Sequence, residues 1–260
     1  MVAPERESDW TMSSLRLDGR HAVVTGAGRG LGRGIALGLA AAGAKVTAIS
    51  RTLSELGTLA TVIRARGGEV DTLECDVTDA SRVLALFERC SGADIVVNNA
   101  GVNVPGPFID STDADLDAIL DVNVRGATLV AREAAGAMVR AERGGVIINL
   151  SSTFGKVGRP GNAVYSASKH YIEGLTKSLA VELAPSAIRV VAVGPTAIRT
   201  PMTAGRLEDP VVGADLKSRI PLGRFGEVDD VVGAVVFLAS PAASLITGVT
   251  LMVDGGWTAQ

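Results

Sequence analysis

"HAVVTGAGRGLGRGIALGLAAAG", residues 21–43, is the stretch that decides the fold. Its first five residues, "HAVVT" (21–25), read as a buried strand, and "LGRGIALGLAAAG" (31–43) reads as a helix that stops at Gly43. Between them lie Gly26, Gly28, Gly30 and Gly32, with Arg29 and Leu31 inside the loop. The spacing is not the G-x-G-x-x-G fingerprint, because the last position counted from Gly26 is Leu31. The physics is the same. Glycines let the backbone turn sharply from strand to helix and approach a pyrophosphate at the helix N-terminus.

Working outward, short apolar runs alternate with helical patterns almost throughout. "KVTAIS" (45–50) is a second strand, and "LSELGTLATVIRARGG" (53–68) is a helix stopped by two glycines. Strands at 69–76 and 94–99 flank a helix near 79–91, and a long helical region fills 113–141. A strand at 145–152, a helix at 163–183 and a strand at 188–194 follow. A loop-rich stretch with four prolines spans 195–222, then come a helix at 229–239 and a last strand within 249–256. Such alternation predicts an α/β fold with a parallel sheet covered on both faces. No repeat, linker or second domain interrupts it: residues 1–16 read as a loose N-terminal tail and 17–260 as one Rossmann-type domain. Ligands of such sheets bind beyond the carboxyl ends of the strands.

Composition agrees. Of 260 residues, 47% are hydrophobic but only 3% aromatic, so Ala, Val, Leu and Ile must fill the core. The net charge of −3, with signs interspersed, argues against a nucleic-acid surface. No signal peptide and no membrane-spanning run is read, so a soluble, cytoplasmic protein is expected. Cys75 and Cys90 form no metal or redox motif, and neither His21 nor His170 belongs to a triad or metal site.

The end of the second strand bears on the choice between NAD and NADP. An acidic residue there would hold the ribose 2′-hydroxyl, whereas an arginine accommodates a 2′-phosphate. The chain reads Ser50-Arg51-Thr52, with Arg29 able to reach the same group. Two guanidiniums and two hydroxyls suit a dianion, which favours NADP; the plainer reading leaves Arg51 as a solvated loop residue.

With these residues in view, the chain resembles the short-chain dehydrogenase/reductase family from about Leu17 to Gly256. The matching motifs are "TGAGRGLG" (25–32), "CDVTD" (75–79), "NNAG" (98–101), "DVNVRG" (121–126), "LSS" (150–152), "YSASK" (165–169) and "DGG" (254–256). The resemblance implies a seven-stranded parallel Rossmann sheet and commonly a homotetramer, with a homodimer as the smaller assembly. It implies that Asp76 and Val77 flank the adenine and that Asn98, Ala100 and Gly101 lie along the cofactor. Many members have Pro-Gly after strand six, where this chain has Pro195-Thr196; cofactor contacts are expected from Pro195, Ile198 and Thr200. "SRT" and "PT" look like carbonyl and xylulose reductases within the family.

Tyr165 and Lys169 are four residues apart and share a helix face. A nearby ammonium favours tyrosinate, so the pair is expected to lower the tyrosine pKa into the working range. Ser152 precedes Tyr165 by the family's spacing for its catalytic serine and would polarise a carbonyl oxygen; Ser151 competes for that role. Asn123 matches the family's fourth catalytic position, where a helix distortion lets asparagine hold a water in a proton relay to the lysine. Tyr171 and the aspartates 113, 115, 117 and 121 read as packing or solvated positions.

Together these residues predict an NADP(H)-dependent oxidoreductase that interconverts a ketone or aldehyde and an alcohol. Sugar-acid or 3-oxoacyl reduction is the alternative within the family, and a dinucleotide-sensing protein without turnover is the rival outside it. Val102, Asn103, Val104, Thr153, Phe154, Val157, Thr196 and Met202 are expected to wall the substrate pocket, under a lid near 195–222. Lys156, Arg159, Arg199 and Arg206 lie in the same segments. Loop cations mostly face water, so a neutral ketone or polyol is favoured over a carboxylate.

Overall fold

A computed structural model describes residues 11–260; of the tail expected over 1–16, residues 1–10 lie outside the described residues. Its strands are β1 (His21–Thr25), β2 (Lys45–Ser50), β3 (Val70–Glu74), β4 (Ile95–Asn98), β5 (Gly145–Leu150), β6 (Ile188–Pro195) and β7 (Thr250–Val253). All seven are parallel and pair in the order β3-β2-β1-β4-β5-β6-β7. Most of their residues are buried on both faces, which is why they read as unbroken Val/Ile runs. Chain direction reverses its walk across the sheet between β1 and β4, and that crevice is the switch point at which such sheets bind ligands.

Two layers of helices cover the sheet. α1 (Gly30–Ala41) and α9 (Val228–Ala239) bury Ile35, Leu39, Val231, Val235 and Leu238 on one face. α3 (Ala80–Arg89) and α5 (Ala127–Ala141) bury Val83, Phe87, Val130 and Met138 on the other. α2 (Leu53–Ala65) ends where Gly67 takes a φ of 79°. α3 begins where the Asp79 carboxylate accepts from the Ser81 and Arg82 amides at 2.9 and 3.1 Å.

The helical region expected over 113–141 is α4 (Asp113–Ile119), a π-helical stretch (Leu120–Gly126) and then α5. The wide turn carries Asn123 inward, fully buried. α6 (Ala163–Leu183) runs over the bounds its pattern predicts.

The stretch 195–222 is not mainly loop. It holds α7 (Ala204–Glu208) and α8 (Pro210–Ser218). Prolines there misled the reading, because Pro210 sits in the first turn of α8, where its missing N–H costs nothing. Asp209 caps that turn, accepting from the Val211 and Val212 amides at 2.9 and 2.8 Å. Both helices pack through Leu207 and Leu216 into a satellite core with Phe154, Phe225, Trp257 and Tyr165. No helix among the described residues is long and apolar enough to cross a membrane.

Candidate active site

A cavity of about 490 Å³ opens at the carboxyl ends of the strands, over the switch point. Its floor is the glycine turn. Gly26 sits at φ 65°, a conformation that only glycine adopts without strain. A Cβ on Gly32 would lie 2.2 Å from the Gly26 carbonyl oxygen, so the start of α1 and the end of β1 are in direct backbone contact. Gly28, Arg29, Gly30 and Leu31 complete this floor, at the N-terminus of α1. That cradle fits a dinucleotide pyrophosphate.

One end of the cavity is lined by Ser50, Arg51, Thr52, Asp76 and Val77. Arg51 is largely exposed and lies 3.8 Å from Asp76, whose carboxylate also accepts from the Thr78 amide and hydroxyl. The other end is lined by Ala100, Gly101, Tyr165, Lys169, Pro195 and Thr200.

Around Tyr165 the geometry is close-knit. The Lys169 ammonium donates to the Leu150 carbonyl at 2.7 Å and stands 5.6 Å from the centre of the Tyr165 ring. Burial brings that ammonium down to about 8. Tyr165 keeps part of its surface open to the cavity, yet burial pushes its phenol up to about 12, against smaller downward pulls from the Ser152 hydroxyl and the Arg206 guanidinium. The expected net lowering by Lys169 does not occur: desolvation outweighs every charge that acts on the phenol.

Ser152 caps the turn after β5, accepting from the Phe154 amide at 3.2 Å. Ser151 is engaged elsewhere, donating to the buried Glu173 carboxylate at 2.5 Å. Asn123 pairs with the backbone of Val102 in both directions, each bond 2.8 Å, and donates its second amide hydrogen to Ser168 at 3.2 Å. A Cβ on Gly101 would lie 3.4 Å from Asn123 Oδ1 and 3.7 Å from Lys169 Nζ, so the two groups converge beside that glycine.

Comparison with known proteins agrees with this arrangement. A family model for enoyl-(acyl carrier protein) reductases matches residues 26–258. An L-xylulose reductase of Bos taurus is 41% identical over 245 residues, 94% of this chain and 99% of that enzyme. The chain belongs to the short-chain dehydrogenase/reductase family. A galactitol 2-dehydrogenase of Rhizobium johnstonii is 43% identical over 254 residues, covering 94% of this chain and 96% of that enzyme. Among solved structures, a gluconate 5-dehydrogenase from Burkholderia cenocepacia in complex with NADP and tartrate superposes with a TM-score of 0.91 at 36% identity, over 95% of this chain and 98% of that one. As a member of the family, the protein is an oxidoreductase acting on CH–OH groups and the corresponding carbonyls.

Two residues expected along the cofactor by family resemblance lie outside the cavity lining. Asn98 points beneath the strand ends, donating to the Ala127 carbonyl at 2.8 Å and to Asn149 at 3.2 Å. Its neighbour Asn99 takes the cavity position and donates to the Thr25 carbonyl at 2.8 Å. Ile198 is 3% exposed and packs into the main core.

Two residues that shape the cavity, one behind its wall and one in its lining, were not among those expected from the sequence. Thr25 is fully buried, and its hydroxyl accepts from the Asn99 and Ala100 amides at 3.0 and 3.1 Å, which fixes the loop after β4. Glu55 places a carboxylate under the glycine turn, four residues past Arg51. The T-x-x-E spacing from Thr52, where α2 starts, was the signal that could have found it.

The four loop cations separate. Lys156 pairs with Glu173, Arg159 with Asp215 at 2.8 Å, and Arg199 with Glu227 at 3.1 Å. Arg206 has no carboxylate within 4 Å among the described residues and acts on the Tyr165 phenol instead.

Proposed function

We propose that this enzyme reduces the ketone of a polyhydroxy compound with NADPH and, in reverse, oxidises the secondary alcohol, with Tyr165 as the proton-transferring group. The observation that carries the reading is the phenol of Tyr165, open to the dinucleotide cavity, beside Ser152 and under the reach of Lys169. NADPH, when bound, supplies the hydride to the carbonyl carbon. Tyr165 gives its proton to the carbonyl oxygen, and a phenol pushed up to about 12 holds that proton throughout the neutral range. Ser152 donates its hydroxyl hydrogen to the same oxygen and keeps it in line with Tyr165. Lys169, anchored by the Leu150 carbonyl, steadies the phenolate as the proton leaves and reaches the nicotinamide ribose. Asn123 has spent both amide hydrogens but keeps a lone pair on Oδ1 for a water bridging to Lys169.

Arg51, Arg29, Ser50 and Thr52 support NADP over NAD, since no carboxylate ends β2. The 195–222 segment closes over the substrate. A homotetramer, or a homodimer, is supported by apolar residues left exposed on α6 and beside the edge strand β7: Val181 is 79% and Leu245 98% exposed. Light scattering at micromolar concentration tests this, and a monomer would remove that part of the reading.

Tyr165→Phe tests the central claim. It should lower kcat for a ketose by about 10²–10⁴-fold, as loss of a general acid does, while NADPH binding stays within a few-fold. Activity within a few-fold of wild type would remove Tyr165 from the chemistry.

A further inference from the structure

Arg159 and Arg206 stand out among the charged groups that the proposed chemistry leaves unused. Arg159, 13% exposed at its side chain, spends Nη2 on Asp215, but its Nη1 is buried without any hydrogen-bond partner. A buried guanidinium edge with nothing to donate to is costly and is normally satisfied. Arg206 is half-buried, lacks an ion-pair partner among the described residues and lies within electrostatic reach of both Arg159 and the Tyr165 phenol.

Packing brings the segments that carry these groups together. Arg206 precedes Leu207 on α7 and Asp215 precedes Leu216 on α8; both leucines pack with Phe154, Trp257 and Tyr165 in one cluster. Asp215 also accepts from Arg219 at 3.2 Å, so its charge is shared between two arginines and cannot neutralise the cluster. Two acceptors on nearby segments are orphaned as well: Asn103 Oδ1, on a residue that lines the cavity, and Thr196 Oγ1, next to Ala197 of the same cluster. Excess positive charge with an unused donor edge calls for an anion, and spare acceptors call for hydroxyl hydrogens.

We propose that Arg159 and Arg206 form the recognition site for a carboxylate at one end of the substrate, so that the natural substrate is a polyhydroxy keto acid rather than a neutral ketose. The site rests on the function proposed above and reverses the neutral preference that loop cations suggested from sequence. Arg206 takes one carboxylate oxygen beside Tyr165, and Arg159 Nη1 takes the other. Asn103 Oδ1 accepts from a hydroxyl of the same molecule.

The experiment compares a keto-sugar acid with its methyl ester, which differ only in the charge of that end. Wild type should favour the acid in kcat/KM by roughly 10- to 100-fold at low salt, the range expected for a charge-assisted contact. Arg206→Gln should lower kcat/KM at least tenfold further for the acid than for the ester; with no ion pair to lose, the variant is expected to fold. As a second reading, an aldonate should inhibit wild-type reduction more strongly than the matching alditol, and Arg206→Gln should erase that difference. Equal use of acid and ester by wild type, or equal losses for both in the variant, would overturn the site while leaving ketone reduction standing. Preference for a phosphorylated ketose over the acid would overturn the carboxylate assignment. Failure to turn over either compound, with NADPH still bound, would instead bring down the underlying function and the site with it.

Discussion

The two ends of the cavity are made of different material. At the dinucleotide end the contacts are mostly of backbone: the Gly26 turn, the Gly26–Gly32 approach, and the loop after β4, whose amides donate to the Thr25 hydroxyl. At the substrate end the packing behind Tyr165 is of side chains drawn from far apart, such as Phe154 against Trp257 at 6.1 Å, with Arg159 against Asp215 on neighbouring segments. A backbone-built site is fixed by the fold and changes only if the fold gives way. A side-chain site can be rewritten one residue at a time without disturbing its neighbour. This fits a fold whose relatives are named for substrates as different as xylulose, galactitol and gluconate.

The strongest way to break this contrast is a glycine pair. Gly32→Ala drives a Cβ to within 2.2 Å of the Gly26 oxygen and 2.5 Å of Asn99 Nδ2, neither of which can yield without opening the turn. NADPH affinity should fall by about 100-fold, with a stability loss of about 1–3 kcal/mol as in overpacked cores. Gly205→Ala, on α7 at the substrate end, meets nothing within 4 Å and should leave thermal stability unchanged or slightly raised. Similar losses for both in calorimetry and cofactor titration would show that the ends do not differ in kind.

A smaller effect is expected at Arg51, one of the side chains assigned to the cofactor end together with Arg29, Ser50 and Thr52. Its side chain is 67% exposed and only loosely tied to Asp76, so water screens whatever it holds. Arg51→Ala should therefore weaken NADPH by about tenfold, the low end for a charged contact, and NADH by less than about twofold. Glu55, a carboxylate under the same loop, works against a 2′-phosphate and is a reason to expect the lower figure. Equal losses for both dinucleotides would mean that Arg51 does not read the phosphate.

The same division governs what could be read from the chain. Strands, helices and the glycine turn are local patterns, and they lie close to where periodicity puts them. "NNAG" was harder: Asn98 and Asn99 look alike, and only the register that sets Asn98 opposite Asn149 turns the first inward and leaves the second at the cavity. The direction of the Tyr165 shift was missed because charge can be guessed from spacing and desolvation cannot. Least legible was Arg159 with Asp215, 56 positions apart and joined by helices that the prolines had disguised as loop.

Arg199 gives the finest test, because in the sequence it is indistinguishable from Arg206. Both lie in the 195–222 segment, both are arginines, and both were candidates for a substrate anion. In the structure the Arg199 guanidinium lies 5.2 Å from the centre of the Phe225 ring and pairs with Glu227 at 3.1 Å, both partners more than half exposed. An exposed ion pair contributes about 0–1 kcal/mol, and an exposed cation–π contact about as much. Arg199→Gln should thus lower stability by about 1 kcal/mol or less in urea unfolding, and it should leave the acid-to-ester ratio in kcat/KM within about twofold of wild type. The comparison with Arg206→Gln is then between two arginines matched in kind and differing in their partners. If Arg199→Gln collapses the ratio as far as Arg206→Gln does, long-range positive charge rather than a built site sets the preference. In that case raising the salt from 0.01 to 0.5 M should abolish the ratio in wild type too, since the screening length shrinks from about 30 Å to a few ångströms.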